Sequence, residues 1–316
     1  MDLPDFVAHA DWGASAGKRQ VAVAERESGS YVMRLPKGVE NITEFRERLA
    51  GRAADSRVVV GFDFPIGLPE EYARKAGISR FPDALSRFGE GEWSGFYERA
   101  KRPEQIALHR PFYPHNPGRP GGVQQSHLLE GIGITDKRKL LRRCERKTEK
   151  RGEAGMLFWL VGPKQTGNAA RIGWKKVLAP LYGSDARTKI WPFDGGMESL
   201  LASEGLIVVE TYPAEAGHHL GLDANGWSKN SQEDRRDQSE ALFRWAASRR
   251  VKFAPDLHES LSNGFGNGKH GEDRFDTVVG LGSMIEVLLG HRSEGAPQNE
   301  AVQDVEGWIF GQTTPN

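Results

Sequence analysis

Cysteine is all but absent. A single one, Cys144, stands in a chain of 316 residues, which excludes an internal disulfide and any zinc site built from several cysteines. Its setting in LLRRCERK, among charges, reads as a spare thiol in a reducing compartment. Excess charge of one sign is absent too: 43 Lys and Arg balance 43 Asp and Glu. Whole-molecule charge therefore offers a polyanion no attraction, and any basic footprint must be local. No apolar run approaches the roughly 20 residues of a membrane span. The first residues, MDLPDFVAHADW, lack a basic region followed by an apolar core, so the expectation is a cytoplasmic protein with no secretory leader. Solenoid or propeller repeats, a GxxxxGK[ST] phosphate loop and an HExxH zinc helix are missing as well.

What is present alternates. FVAHADW, RQVAVAE and SYVMRL read as three strands, separated by turn residues at Gly13, Gly17 and Gly29. NITEFRERLAGRAA reads as an amphipathic helix, capped by Asn41 or Thr43 and apolar at Ile42, Phe45 and Leu49. RVVVGFDFP is a nearly continuous β-branched run, suited to a buried parallel strand. Residues 68–156 break the alternation with the Pro-dense KRPEQIALHRPFYPHNPGRPGG and a basic stretch over 137–151. That region reads as an insertion or cap with a basic helix face, set into a core formed by residues 1–67 and 157–316. MLFWLVG, a helix around AARIGWKKVLAPLY and a possible strand in TKIWPF follow. LIVVETYP is the clearest late strand, SQEDRRDQSEALFRWAASRR a charged helix and DRFDTVVGLGSMIEVLLG the last long helix. EGWIFG reads as a closing strand or a plug. The expected fold is α/β: a mixed, mostly parallel sheet of about five strands with helices on both faces.

Acids punctuate this pattern. Asp11, Asp63 and Glu210 each end an apolar strand, and Asp273 and Asp276 share one face at the start of the last helix. A helical crossover returns the chain parallel to an earlier strand; if strand four lies beside strand one, Asp11 and Asp63 sit at neighbouring carboxyl ends, the edge where open α/β sheets bind ligands. Like charges gathered there are costly unless a cation neutralises them or their pKa values rise. Hard divalent cations take oxygen ligands, and two of them can activate water and stabilise a leaving oxygen. Taken singly, each acid has a plainer role: Asp11 or Asp63 as a turn cap, Asp273 as a helix cap.

The segments ADWGAS, VVVGFDFPIGLP, RKTE to WPFDG, VVETYPAE and EDRFDTVVGL, in that order, resemble the family catalogued as domain of unknown function 429. The resemblance runs from about residue 6 to 311. It implies a ribonuclease H-like fold and a metal-dependent nuclease or phosphodiester hydrolase using Mg²⁺ or Mn²⁺, with two ions and a nucleic acid substrate, DNA or RNA. Residue by residue, it implies a strand-one metal ligand at Asp11, a fourth-strand acid at Asp63 and the last-helix acidic pair at Asp273 and Asp276. Asp11, Asp63 and Asp276 would be the ligands, with Glu210 and Asp273 completing or orienting the site. The first-helix acid of authentic ribonuclease H has no clear match; Glu44 and Glu47 fit an exposed face better.

Two other readings stand beside this one. The Gly-rich DWGASAGKR turn also suits an ATP-dependent phosphotransferase of the sugar-kinase or actin-like type, and a catalytically inactive nucleic-acid or protein-binding module would keep the fold alone. Lys269 and His270 are phosphate-contact candidates on the GFGNGKHG loop. Phe112 and Tyr113 are either stacking surfaces or the loop's own packing. His218 and His219 read as surface or loop residues, and Glu306 as either near the sheet edge or structural.

Overall fold

Period-two alternation decides where the strand side chains go. The computed structural model describes residues 2–116, 122–148, 152–162, 166–223, 226–268 and 270–313. In it β1 (Phe6–Trp12), β2 (Arg19–Glu27) and β3 (Ser30–Gly38) form an antiparallel meander. The helix α1 (Ile42–Ala53) then crosses over to β4 (Arg57–Phe62), which pairs parallel with β1 from Phe6↔Val58 to Ala10↔Phe62. Asn41 caps α1, its side chain accepting from the amides of Thr43 and Glu44, and that fixes where the crossover begins. Later come β5 (Thr188–Ile190), β6 (Gly205–Glu210) and β7 (Val251–Phe253).

Together they make a seven-stranded mixed sheet in the order β5-β6-β4-β1-β2-β3-β7, with only β2 running against the rest. Helices flank it on both sides, an α/β arrangement of ribonuclease H-like type. The count exceeds the expected five because β5 and β7 are three-residue edge strands. TKIWPF announced the first as a possible strand. VKF, attached to the end of a charged helix, is too short to show a period.

Two cores lie on the two faces. Phe6, Ala8, Ala10 and Trp12 of β1 join one, under α1 and the helical run 167–184. Val7 joins the other, with α2 (Pro213–His219), α3 (Gln232–Arg249) and α4 (Gly271–Leu288). The 68–156 segment belongs to the first, since Tyr72, Phe81, Phe96, Phe112 and Leu128 are buried in that cluster. Its basic stretch is not a helix face. Two short turns, Lys137–Leu140 and Arg143–Glu145, replace it, and they carry Arg142 and Cys144 into full burial. Cys144 is therefore a core residue and not a spare surface thiol. MLFWLVG forms no strand among the described residues; Trp159 makes an isolated bridge to Tyr113.

One close approach sets the position of α4. A Cβ at Gly280 would run into the ring of His9, and one at Gly61 would meet Met284 and Thr211. The missing side chains let α4 settle directly on β1 and β4, which brings its first turns over the carboxyl ends of both strands.

Gly280→Ala tests this placement. Helix propensity alone favours alanine by about 1 kcal/mol, whereas overpacking against a buried ring costs about 1–3 kcal/mol. The ring should prevail, so the variant's urea midpoint and Tm should fall; a rise in both would refute the close approach.

Candidate active site

Three elements deliver carboxylates to one place. Asp11 is the penultimate residue of β1 and Asp63 follows β4 directly, with its amide donating to the carbonyl of Ala10. Asp273 and Asp276 stand on the first two turns of α4. Asp273 does not cap that helix, which is preceded by His270, whose Nδ1 lies 3.4 Å from its Oδ2. Asp63 Oδ1 accepts from the Trp12 amide at 2.6 Å, so β1 holds the Asp63 side chain against the Asp11 end.

Burial, with the adjacent Asp63 charge and hydrogen bond, pushes Asp11 far above the usual carboxylate range, and Asp276 and Asp273 add to the repulsion. Burial raises Asp63 as well. The pair therefore keeps one shared proton at neutral pH, as two carboxylates in contact must when no cation stands between them.

The cation nearby is Lys229. Its Nζ lies 2.6 Å from Asp276 Oδ2 and 3.0 Å from Glu272 Oε1. Burial works against its charge, but Asp276 and Glu272 outweigh that and raise its pKa. Asp276 itself is pushed up to about 6, burial raising it and Lys229 drawing it back. Lys229 and Asp276 line a cleft of about 280 Å³ with His218 and Trp227, which opens the Lys229–Asp276 side of the cluster to a small molecule or a chain end. A larger cleft of about 510 Å³, between α1 and the β2–β3 hairpin, holds none of the five predicted acids.

Glu210 takes a different part. Both of its oxygens accept from Arg142, at 2.7 and 2.6 Å, and Oε2 also accepts from the Ile66 amide at 2.6 Å. Arg142 further donates to Glu145 Oε1 and to the Glu306 carbonyl, each at 3.0 Å. Glu306, in the turn Val302–Glu306, accepts from the Arg143 and Glu70 amides. Burial opposes the Arg142 charge, yet Cys144, Glu145 and Glu210 outweigh it and the guanidinium stays charged. Glu210 is thus engaged in a buried ion network that ties the 68–156 segment and the EGWIFG segment to the end of β6, where Ile309 bridges to Glu210. Breaking such a pair by removing one partner costs about 3–5 kcal/mol.

Other expectations fall out unevenly. His219 lies on α2 and bonds Ser283 at 2.6 Å, so it is neither a loop nor a surface residue. Phe112 and Tyr113 are buried, which removes them as stacking surfaces. Glu44 and Glu47 are exposed on α1. Lys269 lies outside the described residues.

Three residues beside the acids were not anticipated. His9, two positions before Asp11 and on the same side of β1, is buried and bonds Thr211 at 2.7 Å; burial pushes its pKa down to about 3, so it is neutral. The period-two rule applied backward from Asp11 would have found it. Lys229 and Arg142 carried no signal, being respectively 47 and 68 residues from the acids they pair with.

As they stand, no three His, Cys, Asp or Glu side chains among the described residues are grouped to hold a metal ion. The donor set around Asp11 and Asp63 is nonetheless all carboxylate oxygen, the class that hard divalent ions take. The shared proton marks where positive charge is wanted, and Asp276 is turned onto Lys229.

The shared proton makes a prediction. Unfolded, Asp11 ionises near pH 4; folded, it stays protonated, so the folded chain binds the extra proton and its stability falls as pH rises from about 4. Asp11→Asn removes that penalty. In EDTA at pH 8 the variant should be more stable than the wild type by about 1–2 kcal/mol, roughly 1.5–3 °C in Tm, and the gap should close toward pH 4. A lower Tm at pH 8 in calorimetry would contradict the shared-proton geometry.

Comparison with protein-family models, with curated proteins and with solved structures finds no match for this chain.

Proposed function

We propose that the protein is a metal-dependent phosphodiester hydrolase, a nuclease that uses Mg²⁺ or Mn²⁺ at Asp11, Asp63 and Asp276. The observation that carries this reading is the convergence of Asp11, Asp63, Asp273 and Asp276 from three separate elements on one sheet end, at the cost of a trapped proton. A dead or purely structural site has no need for that repulsion. Glu210 and its neighbours demonstrate the alternative, since there arginine neutralises the acids. The family resemblance in the motifs points the same way.

One or two divalent ions would supply a Lewis acid and lower the pKa of a water molecule beside the scissile phosphate. The chain's own residues do the rest. Asp11 would hold the ion as a full anion, its shared proton passing to solvent as the ion binds, and the Trp12 amide fixes the Asp63 oxygen. Asp276, paired with Lys229 in this structure, would hold the ion in place of the ammonium, and Lys229, on a flexible stem beside the cleft, would then be free to face the negative substrate. Neutral His9, held by Thr211, buttresses β1 beneath Asp11 without adding charge. Glu210 works through Arg142, keeping the ends of β6 and β4 and the 68–156 segment in register, and is a positioning residue.

The test is incubation of wild type and Asp11→Asn with labelled single- and double-stranded DNA and RNA, in Mg²⁺, Mn²⁺ or EDTA. Cleavage that needs metal and is lost at least 100-fold in the variant is the expected result. Absence of cleavage on all four substrates at high enzyme concentration sinks the reading, and ATP binding is then the next measurement.

Lys229→Gln separates competition from catalysis. Without the ammonium, Mn²⁺ should bind more tightly, by about 3–10-fold on the scale of one partly screened charge, as read by calorimetric titration. Unchanged or weaker Mn²⁺ affinity would mean that Lys229 does not hold the place of the ion.

A further inference from the structure

Cations without carboxylate partners are gathered on one side of the carboxylate end. Arg19, cross-strand neighbour of Trp12, lays its guanidinium 5.0 Å from that indole and donates to the carbonyls of Gly13 and Ala14. It opens a groove that Arg46, Lys175 and Lys176 also line, together with the carboxylate of Glu40. Arg46 Nε is shielded from solvent and has no hydrogen-bond partner, and among the described residues neither Arg46, Lys175 nor Lys176 makes an ion pair. Both lysines are exposed.

The charge continues along the helical run 167–184. Lys175 stands 5.7 Å over the Tyr97 ring, and Arg171, one turn earlier and about 6 Å along the axis, donates to the Tyr97 carbonyl at 2.7 Å. His115 and Lys101 line the next cleft, and the charges of Arg99 and Arg171 act on each other and on His115 there. Arg99, burial, Lys101 and Arg171 together depress the His115 pKa, as expected where cations crowd without anions. Glu98, the neighbouring acid, is taken by Arg110. In a chain of zero net charge, such a row is a local positive surface that can attract a polyanion.

We propose that this row, from Arg46 and Lys176 across Lys175 and Arg171 to Arg99 and His115, is a track for the phosphodiester backbone of a nucleic acid strand entering the Asp11–Asp63 end. A linear succession of cations that reaches Trp12, the neighbour of Asp11, through Arg19 fits a linear succession of phosphates, whereas a membrane surface asks for a plane. The proposal rests on the hydrolase reading for the track's direction, but its binding claim is separable.

The experiment is fluorescence anisotropy in EDTA on an Asp11→Asn background, with a labelled 20-nucleotide strand, its duplex and anionic vesicles as probes. Neither metal nor cleavage is then needed. Neutralising Arg46, Lys175 and Lys176 to Gln should weaken oligonucleotide binding at least tenfold and reduce the salt slope by about 2 for a single strand. Lys175→Glu with Lys176→Glu, both exposed, repeats the test without touching partly buried Arg46. The control, Arg244→Gln with Lys252→Gln, alters exposed cations on the α3 and β7 side and should change little. Equal losses in control and track variants, no loss in the track variants, or binding to vesicles in place of oligonucleotides overturns the track. Wild-type cleavage with an intact affinity in the track variants refutes the track and leaves the hydrolase; track-dependent binding without wild-type cleavage does the reverse.

Discussion

Electrostatic repulsion among acids at one sheet end is the constraint on which the rest of this molecule turns. The protein meets it in two ways within a few residues of each other. Behind β6, the buried Glu145, Glu210 and Glu306 are paired with buried Arg142 and part-exposed Arg143. At the ends of β1 and β4, Asp11 and Asp63 are given no arginine and keep a proton instead. The first solution gives each acid an arginine partner. The second is incomplete, and an incomplete buried charge system is what a cation-dependent site needs before its ion arrives.

The two systems are mechanically joined. Ile66, three residues beyond Asp63, donates its amide to Glu210, and Thr211, next to Glu210, holds His9 beneath Asp11. The neutralised network thus supports the strands that carry the strained pair. On the other side α4, seated by Gly280 against His9, fixes the two acids of its first turns. Rigid support on both sides keeps the carboxylates from relaxing apart, which is the way a site holds an unfavourable charge arrangement.

Much of the fold was legible along the chain. FVAHADW, RQVAVAE, SYVMRL and RVVVGF each read as a strand, and the Asn41 cap marks the crossover, so a fourth strand parallel to an earlier one followed from handedness, while its place beside β1 was set by the sheet. The 68–156 segment did not yield in the same way. Its basic run resembles a solvated helix in composition, but burial of Arg142 against Glu210 depends on a partner 68 residues away, which no local rule sees.

Within the candidate site the division is similar. The sequence by itself determined that Asp11 and Asp63 each end an apolar strand and that Asp273 and Asp276 share a helix face, because strand and helix periods are local properties of the backbone. Only the tertiary structure decided which acids are neutralised. Glu210 and Asp63 look alike in sequence, each at the end of an apolar strand, yet one meets an arginine and the other meets Asp11. Charge pairing is settled by contacts between distant segments, and in a low-dielectric interior the presence or absence of one cation changes the role of a carboxylate altogether.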